Sequence, residues 1–420
     1  MSTDAHRTID AIWRIESPKL IAGLTRMVRD VGLAEELAQD AFVAALVQWP
    51  QEGIPRNPGA WLMTTAKRRA IDRIRRAEVL ERKNESLAQD IPVAEGADAA
   101  ALAALDEDDI GDDLLRLIFI ACHPVLSMDA RVALTLRLLG GLTTLEIARA
   151  FLTSEAAVAQ RIVRAKRTLS EAHVPFEVPT KPERAARLAA VLEVLYLIFN
   201  EGYAASAGDD VMRPGLCEDA LRLGRVLAEL APDEPEVHAL AALMEIQASR
   251  TRARVGPSGE PILLLDQDRG KWDHLLIRRG LAALARSEQL GGVSGNYALQ
   301  AAIAACHARA RTPAETDWVR IAALYDALAA LVPSPVVELN RAVAIGMAYG
   351  PAAGLELVDA LTSEPALKSY HLLPSMRGDL LEKLGRYSEA HDEYQRAAAL
   401  AQNERDRALL LERAARSARS

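Results

Sequence analysis

Small and aliphatic side chains return at close to four-residue intervals along this chain, and that spacing leaves little choice but helix. Leu62, Ala66, Ala70 and Ile74 stand four apart, and Val158, Ile162, Ala165 and Leu169 follow i, i+4, i+7, i+11. Each set makes one stripe on a helix of 3.6 residues per turn. Half of the 420 residues are hydrophobic, yet only 4% are aromatic. The core must therefore be built of Ala, Leu, Val and Ile, which suits packed helices better than β-sandwiches. The expected fold class is all-α. A chain of this length exceeds one ordinary core and points to roughly two to four domains.

Several function classes drop out early. The longest nearly unbroken apolar stretches, Leu114–Leu126 and Tyr297–Ala305, fall short of the roughly 20 residues that span a bilayer. The opening MSTDAHRTIDAIWR lacks a basic-then-apolar signal pattern. The expectation is a cytoplasmic protein with no membrane partner. Cys122, Cys217 and Cys306 are isolated and odd in number, which excludes a disulfide framework. Cys122-His123 has no second Cys or His at ligand spacing, so no metal is expected. Gly270-Lys271 is followed by Trp272 and not by the Ser or Thr of a phosphate loop. No nucleophile elbow, H-E-x-x-H or dinucleotide fingerprint is present. Neither catalysis nor a cofactor is expected. A net charge of −8 argues against non-specific nucleic-acid binding by the whole chain, but the charge is unevenly spread.

Residues 1–83 are helical in pattern and basic in their second half. Residues 84–113 then turn acidic, with Asp106, Glu107, Asp108, Asp109, Asp112 and Asp113. This segment reads as a solvated linker, or as a DNA-mimicking strip for a partner's basic channel. A second helical block covers 114–172. Pro175, Pro179 and Pro182 mark a linker over 173–182. From 183 to 420, helix follows helix, with turns at Pro232 and Pro235, at Pro333 and Pro335, and at Gly350 and Gly385. The exception is the loop 254–273, whose PILLL run reads as a strand or a packed plug. Within Met376–Leu400, Gly378, Gly385, Ala390, Tyr394 and Ala397 follow the small-and-aromatic pattern of a tetratricopeptide repeat. Tyr394 is expected to fill the groove between two closely approaching helices.

Three local patterns carry the functional signal. In LTTLEIARAFLTSEAAVAQRIVRAKRTL, Thr143 and Glu146 have capping-box spacing. Ile147, Ala148 and Phe151 form a buried face, Leu152-Thr153 a turn, and Ser154 a second cap. The following helix presents Glu155, Gln160, Arg161, Arg164, Lys166 and Arg167 opposite its apolar stripe. A short helix, a tight turn and a basic second helix make a helix-turn-helix, which sets the second helix in a major groove. In the first block, Asn57-Pro58 starts a helix bearing Lys67, Arg68, Arg69, Arg73, Arg75 and Arg76, with Asp72 spaced to orient Arg68 and Arg76. Such a helix is made to meet phosphates. Trp61 reads as core packing, with base stacking as the alternative. Before it, AEELAQDAFVAALVQW is amphipathic: Leu37, Ala41 and Ala44 make one line, and Ala38, Phe42 and Trp49 another. Glu35, Glu36, Gln39 and Asp40 are expected to project away from both. That acidic face is either simply solvated or fitted to a protein partner with basic helices.

In this order the segments AEELAQDAFVAAL, NPGAWLMTTAKRRAIDRIRR and LTTLEIARAFLTSEAAVAQRIVRAKRTL resemble regions 2 and 4 of an extracytoplasmic-function (ECF) sigma factor of the sigma-70 family. The rest, with YLIFNEGYAAS and LLDQDRGKWDHLLI, resembles the subgroup with a C-terminal tetratricopeptide-like extension. The resemblance implies a region 2 helical bundle, a region 4 helix-turn-helix domain and a regulatory helical array. It implies that Glu36, Leu37, Gln39, Asp40 and Phe42 grip the β′ clamp helices of bacterial RNA polymerase core, with the β flap as a further partner. It implies that Trp61, Lys67, Arg68, Arg69, Asp72, Arg73, Arg75 and Arg76 meet the −10 element of promoter DNA. Ser154, Glu155, Ala156, Ala157, Gln160, Arg161, Arg164 and Arg167 would meet the −35 element. A regulatory protein or ligand is implied at the C-terminal array. The rival reading is a helix-turn-helix regulator that never joins polymerase and uses the array as a sensor. A pure helical scaffold leaves the basic helices unexplained.

Overall fold

The computed structural model describes residues 2–85, 110–151, 153–203, 212–257 and 260–419, except for the side chains of 2–7, 74, 76–85, 110 and 181. Among the described residues all regular structure is helical, apart from one isolated bridge between Val255 and Pro261. The chain divides into two compact units, Met1–Val194 and Leu195–Ser420.

In the first unit, α1 (Ser2–Val28), α2 (Val31–Glu52) and α3 (Pro58–Glu85) pack on one another. Asp30 starts α2 by accepting a hydrogen bond from the Leu33 N–H at 2.8 Å. Asn57 starts α3 by accepting from Ala60 N–H at 3.0 Å, with Pro58 directly behind it. Leu62, Ala66 and Ala70 are buried, so the four-residue stripe faces the bundle. A second group follows: α4 (Ile110–Ala121), α5 (Met128–Leu138), α6 (Thr144–Ala150) and α7 (Glu155–Glu171). α4 packs on α1, and α7 packs on α5 and α6. α8 (Lys181–Tyr203) opens with Pro182 in its first turn, where the missing N–H costs no helical hydrogen bond.

The acidic segment 84–113 lies mostly outside the described residues, including Asp106, Glu107, Asp108 and Asp109. Its last residue corrects the expectation of a solvated strip. Asp113 is buried, paired with Arg26 at 3.2 Å and with Arg116 at 2.7 Å. A carboxylate is tolerated there because two guanidinium groups replace its water.

The second unit continues through α9 (Pro214–Leu230), α10 (Pro235–Ala248), α11 (His274–Gln289), α12 (Asn296–Arg309), α13 (Trp318–Leu331), α14 (Pro335–Tyr349), α15 (Pro351–Ala360), α16 (Leu372–Lys383), α17 (Tyr387–Leu400) and α18 (Glu404–Ser417). Each of these packs on its successor, and α10 also packs directly on α12. Pro235 and Pro335 stand at the first positions of their helices. The α16–α17 hairpin shows why small residues recur. Tyr394 is fully buried, and a Cβ added to Gly378 would lie 2.9 Å from its ring. The turn between these helices needs the positive φ of Gly385, 74°.

The loop 254–273 forms neither a strand nor a sealed plug. It makes the Val255–Pro261 bridge and a 3-10 turn at Arg269–Lys271, while Leu263 stays exposed. Arg269 anchors it by donating to the His307 and Ala310 carbonyls at 2.7 and 2.6 Å. Trp272, Ala253 and Ile277 form a small cluster beneath, with Leu264 against it. Among the described residues no helix is long and apolar enough to cross a membrane.

Candidate nucleic-acid interface

The helix-turn-helix is built by local chemistry. Thr143 Oγ1 accepts from the Glu146 N–H at 3.1 Å, while the Glu146 carboxylate accepts from the Thr143 N–H at 2.8 Å. This reciprocal capping box fixes the start of α6. Burial opposes ionisation of Glu146, but the Thr143 hydrogen bonds and the paired Arg14 outweigh it, and its pKa is lowered. Leu152 lies outside the described residues. Ser154 then caps α7 by accepting from Ala157 N–H at 3.2 Å.

Val158, Ile162, Ala165 and Leu169 are buried, which rotates the rest of α7 outward. Ser154, Glu155, Ala156, Gln160, Arg164 and Arg167 are exposed, and Ala157 and Arg161 are half-buried. Glu155 accepts from the Thr144 hydroxyl at 2.9 Å, Arg161 lies 3.3 Å from Asp129, and Arg167 pairs with Glu171 at 2.6 Å. These contacts hold long side chains in place without burying them. Lys166 is the exception. It leaves the outward face and turns inward to pair with Glu35.

On α3, Arg68, Asp72, Arg73 and Arg75 are exposed, while Lys67 and Arg69 are half-buried; Arg76 has its side chain outside the described set. Burial, together with the neighbouring Arg26, holds the Lys67 ammonium below its ordinary pKa. Trp61 packs edge-on against Trp49, ring centroids 5.3 Å apart. Its contact is with the bundle.

The acidic helix α2 lies beside this basic one. Glu36 is 3.3 Å from Arg73, and Asp40 is 3.5 Å from Arg69. Both carboxylates remain mostly exposed. Leu37 is buried in the bundle and Phe42 stacks on Trp13 at 4.5 Å, so these two support the helix from behind. Gln39 donates to Glu35. Among the described residues no group of His, Cys, Asp and Glu is placed to hold a metal ion.

The Sigma-70 region 2 family matches residues 13–79, and the Sigma-70 region 4 family matches 116–169. The ECF RNA polymerase sigma factor SigK of Mycobacterium sp. (strain KMS) is 30% identical over 168 residues, which cover 38% of this chain and 80% of that protein. The chain belongs to the ECF sigma factor family. The probable ECF RNA polymerase sigma factor SigI of Mycobacterium tuberculosis (strain CDC 1551 / Oshkosh) is 27% identical over 187 residues, 44% of this chain and 62% of that one. Likeness extends through the second unit as well. An uncharacterized protein of Rhizobium meliloti (strain 1021) is 44% identical over 387 residues, 92% of this chain and 90% of that one. Residues 187–288 match a family of unknown function, DUF6596.

In this sigma factor the region 2 and region 4 matches are packed together in one unit, and a buried carboxylate joins them. Glu35 of α2 is 3% exposed, takes a hydrogen bond from Arg137 of α5 at 2.6 Å and pairs with Lys166 of α7. This corrects the expectation that Glu35 projects into solvent. A signal for it was present. Val31, Glu35, Ala38, Phe42, Ala45 and Trp49 alternate four and three apart, so Glu35 occupies a core position of the stripe. Arg14 of α1 pairs with Glu146 of α6 across the same contact.

Proposed function

We propose that this sigma factor joins bacterial RNA polymerase core and directs initiation at promoters with −10 and −35 elements. Residues 1–83 and 114–172 do the two reading jobs. Glu36, Gln39 and Asp40 meet the basic β′ clamp helices, while Leu37 and Phe42 hold that face in shape. The α3 cations, with Trp61 at the bundle edge, line a groove for the unpaired −10 strand. α7 enters the −35 major groove with Ser154, Glu155, Ala156, Ala157, Gln160, Arg161, Arg164 and Arg167 toward it. Region 4 also touches the β flap. The observation that carries this reading is the separation of faces on α7: an apolar stripe buried against α5 and α6, and an outward face that, Val163 apart, is small, polar and basic.

The packed arrangement is the resting one. The two elements lie ~25 base pairs apart, roughly 85 Å at about 3.4 Å per pair. A compact unit of 194 residues has a radius of gyration of only about 16 Å. The Glu35 contact therefore opens before both elements are read together. Residues 183–420, as a tetratricopeptide-like array, modulate the process through a regulatory protein or ligand.

Gel filtration of the full chain mixed with core polymerase tests the reading. Comigration supports it. A chain that elutes alone at micromolar concentrations of both, yet binds DNA, supports the regulator that never joins polymerase.

A further inference from the structure

A cavity of about 460 Å³ lies inside the second unit, among α10, α12, α13 and the start of α14. That volume is in the range of small-molecule sites. Its lining includes the aliphatic side chains Leu243, Ile303, Leu328, Val332 and Val337. Gln247, Arg250, Gln300, His307 and Asn340 also line it.

Two of these polar groups are not satisfied by the protein. Arg250 is 8% exposed, its Nε has no hydrogen-bond partner, and no carboxylate among the described residues pairs with it. Its nearest compensation is the Tyr203 and Trp272 rings, 5.8 and 6.0 Å away, at the outer edge of a useful cation–π distance. A buried cation without a counter-ion is costly. His307 is 7% exposed, and its Nδ1 has no partner. Burial, with Arg250 and Arg269 nearby, holds the His307 pKa down to about 4. The imidazole is neutral at pH 7 and adds no second cation to the cavity. Arg269 is engaged elsewhere, on the His307 and Ala310 carbonyls and the Thr316 hydroxyl. Gln300 is aligned by accepting from Tyr196 Oη at 2.9 Å and donating to Asn296 at 3.0 Å.

The cavity is thus lined by one arginine with no carboxylate partner among the described residues, together with aliphatic and neutral side chains. We propose that it is a binding site for a small organic monocarboxylate, with the carboxylate on Arg250 and the apolar body against Leu328, Val332 and Val337. A guanidinium matches the two oxygens of a carboxylate in its fork geometry. A phosphate dianion would lack a second cation, because His307 is neutral. This site rests on the second unit's own geometry and stands whether or not the chain joins polymerase.

Isothermal titration calorimetry on the full chain tests it, using benzoate, indole-3-acetate and octanoate, their amides, and inorganic phosphate as probes. At least one acid should bind with Kd below about 1 mM, and at least about tenfold more tightly than its amide. Arg250→Gln should weaken that acid about tenfold or more and leave the amide unchanged. Val336→Trp, at the partly exposed rim, should block acid and amide alike without touching Arg250. It carries the test if Arg250→Gln fails to fold, as judged by circular dichroism. Equal binding of acids and amides, a preference for phosphate, or no binding by any of the three acids overturns the proposal.

Discussion

Glu35 of α2 accepts a hydrogen bond from Arg137 of α5 at 2.6 Å, across 102 residues of sequence and almost out of water. With Lys166 on its other oxygen, it ties the helix that carries Glu36 and Asp40 to the helix-turn-helix. Removing one member of such a group leaves buried charge behind. Glu35→Ala should lower the unfolding free energy by about 3–5 kcal/mol. Urea denaturation followed by circular dichroism measures it, and a change under about 1 kcal/mol would mean that water already screens the pair.

Glu36 and Asp40 present the opposite case. Their partner Arg73 is exposed and Arg69 half-buried, while both carboxylates are mostly exposed, and such surface ion pairs contribute only about 0–1 kcal/mol. Glu36→Lys with Asp40→Lys should therefore leave the fold nearly as stable as before. Against basic clamp helices the same reversal costs several kcal/mol, so affinity for core polymerase should fall at least about tenfold. Fluorescence anisotropy with labelled chain reads both the affinity and its salt dependence. Wild-type affinity in the double variant would remove this helix from the polymerase contact.

Arg164 is exposed with no ion pair among the described residues, whereas Arg161 is partly held by Asp129 at 3.3 Å. Arg164→Ala should weaken −35 binding by about 1–3 kcal/mol if it reads a base edge. Arg161→Ala should cost less. Footprints of both variants check this, and unchanged −35 protection in both contradicts the role given to α7.

His307 makes stability depend on pH in a calculable direction. Its pKa is 6.5 when unperturbed and about 4 in the folded chain, chiefly through burial. Between those values the unfolded chain binds a proton that the folded chain does not. Stability is therefore full above pH 6.5 and falls as pH drops toward 4, by about 2 kcal/mol between pH 7 and 5. His123 adds a similar trend in the first unit, its pKa also being lowered to about 4. Thermal unfolding at the two pH values should show a smaller acid loss for His307→Gln than for wild type. Identical pH profiles would mean that His307 protonates freely in the folded chain.

Gly378 faces the buried Tyr394 ring, where an added Cβ would lie 2.9 Å away. Gly378→Ala should destabilise the second unit by about 1–3 kcal/mol through overpacking. A measured change near zero would show that α16 and α17 can separate at no cost.

Much of this fold is legible because its causes are local. The stripe from Val158 to Leu169 and the Thr143–Glu146 box depend on residues within one or two helical turns, and the structure places them as their spacing implies. Gly378, Gly385 and Tyr394 were legible for the same reason. What escaped depends on partners far along the chain. Glu35 and Asp113 look like surface acids until Arg137, Lys166 and Arg26 arrive from other helices. By its spacing Lys166 falls on the outward side of α7, because local period sorts residues by angle alone. It does not say which charge has a buried counterpart. The loop 254–273 was illegible as well, since Arg269 is fixed by carbonyls of α12 and the turn after it.

The central claim is that this chain gives promoter specificity to a polymerase. Run-off transcription sequencing with core polymerase, purified chain and genomic DNA from its own bacterium tests it most directly. The expected result is a set of start sites that appear only when the chain is added, share one −10 and −35 pair at fixed spacing, and weaken with Arg164→Ala. Transcripts unchanged by the chain, while it binds the same DNA by itself, would contradict it.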